Sequence, residues 1–289
     1  MISGAPGTLS IEVGRTVAGQ VPESLLAEHG SPLFVYDGRV LRARAAALRA
    51  AMPAGVELAF AAKANSSPAV LALLAGTGLG ADVASGGELR AAMRAGFEPS
   101  RVVFTGPGKT DDELEGALAA GVGALTIESL DELESLIART GAARPGQGLL
   151  LRLATESQAE GLPIISALGN VKFGLTDDEA DEAVARLRAS RVLAPEGPFV
   201  LRGFHAFGAS NVLEAGTLVE GATDLARRAA RIAAGNGLEI ELLDAGGGLG
   251  IPYTESDAEL DLKALGSGLA DEMATWAARP GLGRARLLL

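Results

Sequence analysis

Lys63 stands at the end of a short apolar run and is the first candidate for chemistry. It follows the run LAFAA and precedes Ala64-Asn65. Burial of an amine disfavours its charged form, and a neutral amine attacks aldehydes. A lysine at a strand end also commonly extends its side chain to solvent. From position alone, both interpretations stay open.

A glycine run, Gly246-Gly247-Gly248, follows another apolar segment. Successive small residues let backbone N–H groups converge on an anion such as a phosphate. A tight turn is the structural alternative. A dinucleotide-binding motif is disfavoured, because that motif belongs at the first strand–helix turn of its fold.

His205 is one of only two histidines and lies in the apolar sequence GFHAF. A lone histidine in a strand is more often structural than catalytic. The chain has no cysteine and lacks both the GxSxG and HExxH patterns. A serine hydrolase, a thiol enzyme and a metal site are therefore disfavoured.

Four more charged residues lie within or at the end of apolar runs: Asp82, Glu128, Arg152 and Asp244. Each alone could be a strand-end or cap residue. If parallel strands bring them to one edge, they form a polar site at a barrel mouth.

Short apolar runs alternate with helical patterns along the chain. Continuous apolar runs are typical of parallel strands covered on both faces. The predicted strands are Glu57–Lys63, Gly80–Ala84, Val102–Thr105, Ala124–Ile127, Gly148–Leu153, Leu201–Phe207, Ile240–Ala245 and Arg286–Leu289.

Helix boundaries support this alternation. The predicted capping boxes are Ser85/Glu88, Thr110/Glu113, Ser129/Glu132 and Thr176/Glu179. Ser67-Pro68 predicts another helix start, and Gly96, Gly121 and Gly141 predict helix ends. Seven strand–helix units and an eighth strand favour an α/β fold of the (β/α)₈ TIM-barrel type over an open doubly wound sheet.

Residues 1–34 do not follow this alternation of strands and helices and are predicted to form an N-terminal appendage. It would hold a strand at Leu9–Val13 and a helix at Glu23–Glu28. Residues 35–289 are predicted to form the barrel. Thr155–Asn170 is predicted to be a long irregular loop, and such loops after barrel strands often build sites.

Composition excludes several classes of function. The net charge of −11 disfavours nucleic acid as a partner, because an acidic surface repels phosphates. No apolar run reaches the length of about 20 residues that a membrane span needs. The absence of cysteine and of a signal-peptide pattern fits a cytoplasmic protein.

Seven segments, in order, resemble the fold-type III pyridoxal phosphate decarboxylases, which include ornithine, arginine and diaminopimelate decarboxylases. They cover nearly the whole chain from about Pro32. The segments are AFAAKAN from Ala59, ADVASGGEL from Ala81, VFTGPGK from Val103, LRLAT from Leu151, VKFG from Val171, GFHAFGASN from Gly203 and DAGGGLGIPY from Asp244.

The resemblance implies pyridoxal 5'-phosphate as cofactor, a Schiff base on Lys63 and a homodimer. His205 would stack on the pyridine ring, and Asp82 and Arg152 would lie near the lysine and the ring hydroxyl. The residues expected to hold the phosphate are Ser210, Gly246, Gly247 and Gly248.

The chain also departs from the family. A Glu-Pro-Gly-Arg type segment and a C-terminal β-domain follow the eighth strand in the family, and neither precedes Leu289. We therefore expect a fragment that is inactive alone, whose N-terminal appendage packs with the missing domain. The five-residue step from His205 to Ser210 resembles decarboxylases of biosynthetic clusters, some acting on carrier-protein-tethered amino acids.

Three functions follow as hypotheses. The first is decarboxylation of an amino acid, either a free diamino acid or a carrier-protein-bound aminoacyl group. The second is an amino-acid racemase on the same barrel, which often uses a tyrosine as second base; the two tyrosines, Tyr36 and Tyr253, occupy no obvious site position. The third is a non-catalytic cofactor-binding or regulatory protein.

Overall fold

The architecture comes from a computed structural model that describes residues 16, 19–155, 173–193 and 197–289. The predicted strand Leu9–Val13, nearly all of the predicted loop Thr155–Asn170 and the motif residues Val171-Lys172 lie outside the described residues. The proposed domain division at residue 34 stays a prediction.

Parallel strands and helices alternate from residue 56 onward. The helices are α1 Pro22–His29, α2 Gly38–Ala51, α3 Pro68–Ala75, α4 Gly86–Ala95, α5 Asp111–Ala120, α6 Leu130–Ile137, α7 Asp177–Ala189, α8 Ala215–Asn236 and α9 Leu262–Ala274. The strands are β1 Val56–Glu57, β2 Ala59–Ala61, β3 Gly80–Val83, β4 Val102–Phe104, β5 Ala124–Ile127, β6 Gln147–Arg152, β7 Phe199–His205, β8 Leu242–Asp244 and β9 Arg286–Leu288. No helix in the described ranges has the length and apolarity to cross a bilayer.

The sheet closes on itself through its first strand. β1 and β2 flank Leu58; β1 pairs in parallel with β9, and β2 pairs in parallel with β3. The amide of Ala59 donates to the carbonyl of Leu289 at 2.9 Å, and the amide of Leu289 donates to Glu57 at 3.0 Å. The two short segments therefore act as one strand, and the predicted eight-stranded barrel is confirmed.

Two apolar layers hold the barrel. Along each strand, residues packed against the helices alternate with residues that face the barrel interior. The interior cluster consists of Val103, Ala124, Leu150, Leu242 and Leu288. On β6 and β8 the next inward-facing residues, Arg152 and Asp244, lie at the carboxyl edge, where the interior opens to the mouth.

One irregularity interrupts the pairing of β6 with β7. Leu149 pairs with Leu201, but Leu150 pairs with Gly203, so Arg202 is the extra residue of a β-bulge. Gly203 accommodates the bulge because a Cβ there would lie 1.9 Å from the carbonyl of Leu242. Beyond the bulge, Arg152 pairs with His205.

Two of the four predicted capping boxes are complete. Thr110 and Thr176 each accept from the N3 amide of their helix, and the N3 glutamate accepts from the cap amide. Ser85 and Ser129 accept in the same way. Their N3 glutamates depart from the prediction and bind the amide one residue further upstream.

Of two other predicted helix boundaries, one is confirmed and one is wrong. Helix α3 begins at Pro68 with Ser67 as its N-cap, as predicted, although the Ser67 side chain makes no cap hydrogen bond and its amide donates to Asn65 Oδ1 at 3.0 Å. Gly141 does not end α6, which stops at Ile137 and is followed by a 3₁₀ turn at Thr140–Ala142. Gly96 and Gly121 end their helices in the left-handed conformation, as predicted.

Candidate functional site

The carboxyl ends of β3 and β6–β8 bring the predicted polar residues to one mouth. Asp82, Arg152, His205 and Asp244 each follow a residue that packs against the helices, so each faces the interior. Arg152 and Asp244 are the direct strand partners of His205 on its two sides. The predicted convergence of these residues is therefore confirmed in geometry.

Lys63 lies at the mouth in a 3₁₀ turn, Ala62–Ala64, rather than at the end of a strand. Its Nζ is 3.6 Å from Asp82 Oδ2 and 5.7 Å from the centre of the Phe207 ring. The side chain is 59% exposed. The predicted strand Glu57–Lys63 was too long, because the strand ends at Ala61; of the two interpretations left open by the sequence, extension of the Lys63 side chain to solvent is the one observed. An accessible amine beside a carboxylate and an aromatic face results.

Asp82 is the residue that ties Lys63 to the barrel. Thr105 Oγ1 donates to Asp82 Oδ1 at 2.6 Å. Burial raises the pKa of the Asp82 carboxyl, and the charge of Asp244 adds to this effect; the hydrogen bond from Thr105 and the charge of Lys63 oppose it. The pKa of the Asp82 carboxyl is therefore raised mainly because burial disfavours its charged form.

Glu128 and Arg152 form a buried ion pair on the same side of the mouth. Arg152 Nη1 lies 2.6 Å from Glu128 Oε2, and the Glu128 side chain is 2% exposed. Glu128 Oε1 accepts from the amide of Gly106 at 2.7 Å. The Arg152 guanidinium also lies 5.3 Å from the centre of the Phe173 ring. We call Asp82, Thr105, Glu128 and Arg152 the side-chain half of the mouth.

His205 and Asp244 are buried next to each other. His205 Nδ1 lies 3.1 Å from Asp244 Oδ2. The direction of this contact is poor for a hydrogen bond, and Nδ1 has no other hydrogen-bond partner among the described residues. Asp244 Oδ1 accepts from the amide of Gly246 at 2.9 Å. Asp244 therefore links the imidazole to the glycine run.

The glycine run forms a backbone-lined cradle. Gly246 and Gly248 have φ values of +68° and +84°, which favour glycine. A Cβ at Gly248 would lie 2.1 Å from the carbonyl of Ala209. Within the described ranges, the amides of Gly247 and Gly248 donate to no other group. Two adjacent N–H groups are thus free to bind an anion.

The segment after β7 braces this cradle. The amide of Val212 donates to the carbonyl of Gly248 at 2.8 Å, and Asn211 Oδ1 accepts from the amide of Ile251 at 2.8 Å. Ser210 is exposed and donates to no described residue. We call His205, Asn211, Val212 and the loop Gly246–Gly250 the backbone half of the mouth.

The sequence patterns did not predict the residues that hold the side chains of the side-chain half in place. Thr105 binds Asp82, and Lys109 lies 2.5 Å from Glu132 beneath the mouth. Burial raises the pKa of Glu132, whereas the charge of Lys109 lowers it. Both Thr105 and Lys109 belong to the segment VFTGPGK. That segment contributed to the family resemblance, but no role was predicted for either residue. Within the described ranges, no three acidic or histidine residues cluster in a way that could hold a metal ion.

Comparison with protein families gives one match across the barrel. Residues 39–285 match the family model described as "Pyridoxal-dependent decarboxylase, pyridoxal binding domain". This range includes every predicted site residue.

Similar proteins carry a consistent name. A diaminopimelate decarboxylase of Actinosynnema pretiosum subsp. auranticum is 36% identical over 257 residues, which cover 87% of this chain and 55% of that protein. The diaminopimelate decarboxylase of Zymomonas mobilis is 32% identical over 256 residues, which cover 86% and 59%. The chain thus spans little more than half the length of these relatives.

Solved structures show the same fold. A diaminopimelate decarboxylase from M. jannaschii has a TM-score of 0.84 at 25% identity, covering 98% of this chain and 66% of that one. A Helicobacter pylori diaminopimelate decarboxylase complexed with L-lysine has a TM-score of 0.79 at 26% identity, covering 92% and 64%.

Proposed function

The chain belongs to the fold-type III pyridoxal-dependent decarboxylases, and we propose that its barrel mouth binds pyridoxal 5'-phosphate through Lys63 for the decarboxylation of an amino acid. The observation that carries the proposal is the juxtaposition of an accessible amine with an anion cradle at one barrel mouth. An aldehyde that bears a phosphate needs both groups.

The residues fit this cofactor. The amides of Gly247 and Gly248, which donate to no described residue, suit the phosphate, and a Cβ at Gly248 would meet the carbonyl of Ala209. His205 supplies a flat, buried ring whose Nδ1 forms no hydrogen bond with the residues that the structure describes. The exposed amine of Lys63 suits a covalent bond to the aldehyde.

Each residue then has a distinct task. Lys63 attaches the cofactor, and its amine is placed to carry a proton once the substrate's amine has taken its position. Asp82 holds the Lys63 amine near the mouth. Arg152 offers N–H donors to an oxygen at the cofactor's edge, and His205 limits rotation of the ring. When bound, the cofactor would supply the electron sink that accepts the electron pair left on the substrate's Cα when carbon dioxide departs.

Ser210 and the dimer belong to the same proposal. The Ser210 hydroxyl lies on the segment that pairs with the glycine loop, so it is available to a phosphate held there. A homodimer in the cytoplasm is proposed from the family resemblance.

The proposed substrate is a free amino acid with a second amine, of the diaminopimelate type. The names of the relatives support this, as does the L-lysine bound to a structural relative. A carrier-protein-bound aminoacyl group is the other substrate class. Carbon dioxide release from a panel that contains both classes separates them.

Reductive trapping tests the attachment site. The chain has four lysines: Lys63, Lys109, Lys172 and Lys263. The purified chain is mixed with pyridoxal 5'-phosphate, reduced with borohydride, digested and mapped by mass spectrometry. We expect one saturable label, on Lys63, that disappears in Lys63→Ala.

Lys263→Ala is the matched control, because Lys263 lies on α9. This variant should be labelled like the unmutated chain. Label distributed over several lysines, or label that persists in Lys63→Ala, would refute the attachment site.

A further inference from the structure

A buried ion pair, Lys109–Glu132, lies next to the side-chain half and is hydrogen-bonded to it through Gly106 and Glu128. Lys109 Nζ is 2.5 Å from Glu132 Oε1, and the two side chains are 0% and 9% exposed. Removing two charges from water is unfavourable, and apolar residues of similar volume often serve stability as well or better. The stability of the core alone therefore does not account for this pair.

The pair holds backbone groups that lead to the mouth. Lys109 Nζ also donates to the carbonyl of Gly106 at 2.7 Å. Glu132 Oε2 accepts from the amide of Glu128 at 2.9 Å. The amide of Gly106 in turn donates to Glu128 Oε1 at 2.7 Å. The four residues thus form a closed ring of hydrogen bonds.

Glu128 is the point where this ring meets the site. Its amide is held by Glu132, one carboxylate oxygen by Gly106, and the other by Arg152 at 2.6 Å. A Glu128 held at three atoms gives the Arg152 guanidinium a fixed partner at Nη1. Lys109 and Glu132 control two of those three contacts, directly or through Gly106.

We propose that Lys109 and Glu132 are positioning residues that orient Arg152 toward the cofactor through Glu128. The inference rests on the proposed function, since it assigns a use to Arg152 at the same site. An apolar pair in place of Lys109 and Glu132 would fill the volume. It would leave the carbonyl of Gly106 and the amide of Glu128 without partners, and Glu128 would be free to turn.

Cofactor affinity tests the proposal. Pyridoxal 5'-phosphate is titrated into the purified chain by absorbance, with the unmutated chain and the variants Lys109→Met, Glu132→Gln and Lys109→Met/Glu132→Leu. We expect the Kd to rise about tenfold in each variant, the size usual when a residue that orients a ligand-binding side chain is lost. The double variant should melt at a higher temperature than Lys109→Met, because it leaves no buried unpaired charge, while its Kd stays raised.

Glu272→Gln is the matched control. Glu272 is also 9% exposed, lies 2.9 Å from Arg279 and accepts from Trp276 Nε1 at 3.0 Å, but lies on the outer helix α9. This variant should lose thermal stability and keep the Kd of the unmutated chain. A Kd that follows melting temperature across all variants would overturn the proposal.

Two further readouts isolate the role of Arg152. The absorption band of the bound cofactor should shift in Lys109→Met in the same direction as in Arg152→Met, and should not shift in Glu272→Gln. In the Arg152→Met background, Lys109→Met should cause no further rise in Kd, since the positioned group is gone; additive effects would contradict the proposal.

Failure of this inference and failure of the proposed function give different results. An unmutated chain without saturable labelling of Lys63 overturns both. An unmutated chain that is labelled on Lys63, with unchanged Kd and absorption band in Lys109→Met and Glu132→Gln, overturns the positioning role alone.

Discussion

At the ends of β3–β6 the mouth is ordered by charged and polar side chains, whereas at the ends of β7 and β8 it is ordered mainly by backbone atoms. Arg152 depends on a carboxylate, which depends in turn on a buried lysine–glutamate pair. The glycine loop depends on left-handed conformations and on carbonyl contacts that leave no room for a Cβ.

The difference shows how each half tolerates change. Charge pairs in the side-chain half fail when one partner is removed, because a buried charge is left behind. Positions in the backbone half fail when atoms are added, because close-packed carbonyls do not yield. Deletion and addition are therefore the matched perturbations that test the two halves.

Glu128→Ala should have the largest effect. It leaves the Arg152 guanidinium and the amide of Gly106 without a partner in a buried region, so we expect a loss of about 3–5 kcal/mol in the free energy of unfolding. Urea denaturation measures it. Glu134→Ala, which removes a half-exposed pair with Arg186, should lose far less, because water and salt screen that pair. Equal losses of unfolding free energy in Glu128→Ala and Glu134→Ala would contradict the special sensitivity of the side-chain half to removal of one charge.

Gly248→Ala should come next. The added methyl group meets the carbonyl of Ala209 at a residue with φ of +84°, so we expect a loss of about 1–3 kcal/mol in the free energy of unfolding and weaker binding of pyridoxal 5'-phosphate. Gly247→Ala is the control for stability, because no protein atom lies within 4 Å of a Cβ built there. Similar denaturation curves for the two variants would show that the loop is more adaptable than its contacts indicate.

Asp82→Asn should have the smallest effect, visible as a change in pH dependence. Burial raises the folded-state pKa of Asp82, so its contribution to stability is fully present below the unfolded pKa of about 3.9 and is lost as the pH rises through the folded pKa. Asparagine does not titrate. The melting temperature of the variant, measured from about pH 4 to pH 7, should therefore rise relative to the unmutated chain as the pH increases.

Asp257→Asn should change the pH dependence of stability in the direction opposite to Asp82→Asn. Hydrogen bonds from the amides of Thr254 and Tyr253 lower the pKa of Asp257, so its stabilisation is present at higher pH and is lost on acidification. The melting temperature of this variant should fall relative to that of the unmutated chain as the pH increases. Parallel curves for Asp82→Asn and Asp257→Asn would contradict the assignment for Asp82.

The barrel was predictable because its signals are local. Continuous apolar runs without alternation indicate parallel strands that are buried on both faces. Caps such as Thr110 and Thr176 identify helix starts from four consecutive residues. The turn at Lys63 was not predictable in this way. The apolar sequence continues through Ala62, and only the hydrogen bond from the amide of Asn65 to Ala62 shows where the strand has ended.

The site was predictable as a set of residues but not as a network. Charges inside apolar runs identified Asp82, Glu128, Arg152 and Asp244 without reference to neighbours. The Lys109–Glu132 pair joins residues 23 positions apart on separate strand–helix units. Such a contact depends on how the two strand–helix units pack against each other. A sequence pattern within one segment carries no information about that packing. Glu132 also had a second interpretation, as the N3 residue of a capping box.

The bulge at Arg202 decides which residues of β7 belong to the mouth. Side chains alternate along a strand, so the parity of the residue count sets which of two neighbours points inward. With an uninterrupted register, Phe204 would stand opposite Arg152 and His205 would point toward the helices. One surplus residue reverses that parity for the end of the strand and leaves its beginning unchanged. The imidazole thus owes its place to the unpaired residue: pairing Arg202 in a regular register would put a phenylalanine in place of the histidine, whereas deleting Arg202 would remove the bulge and leave His205 opposite Arg152.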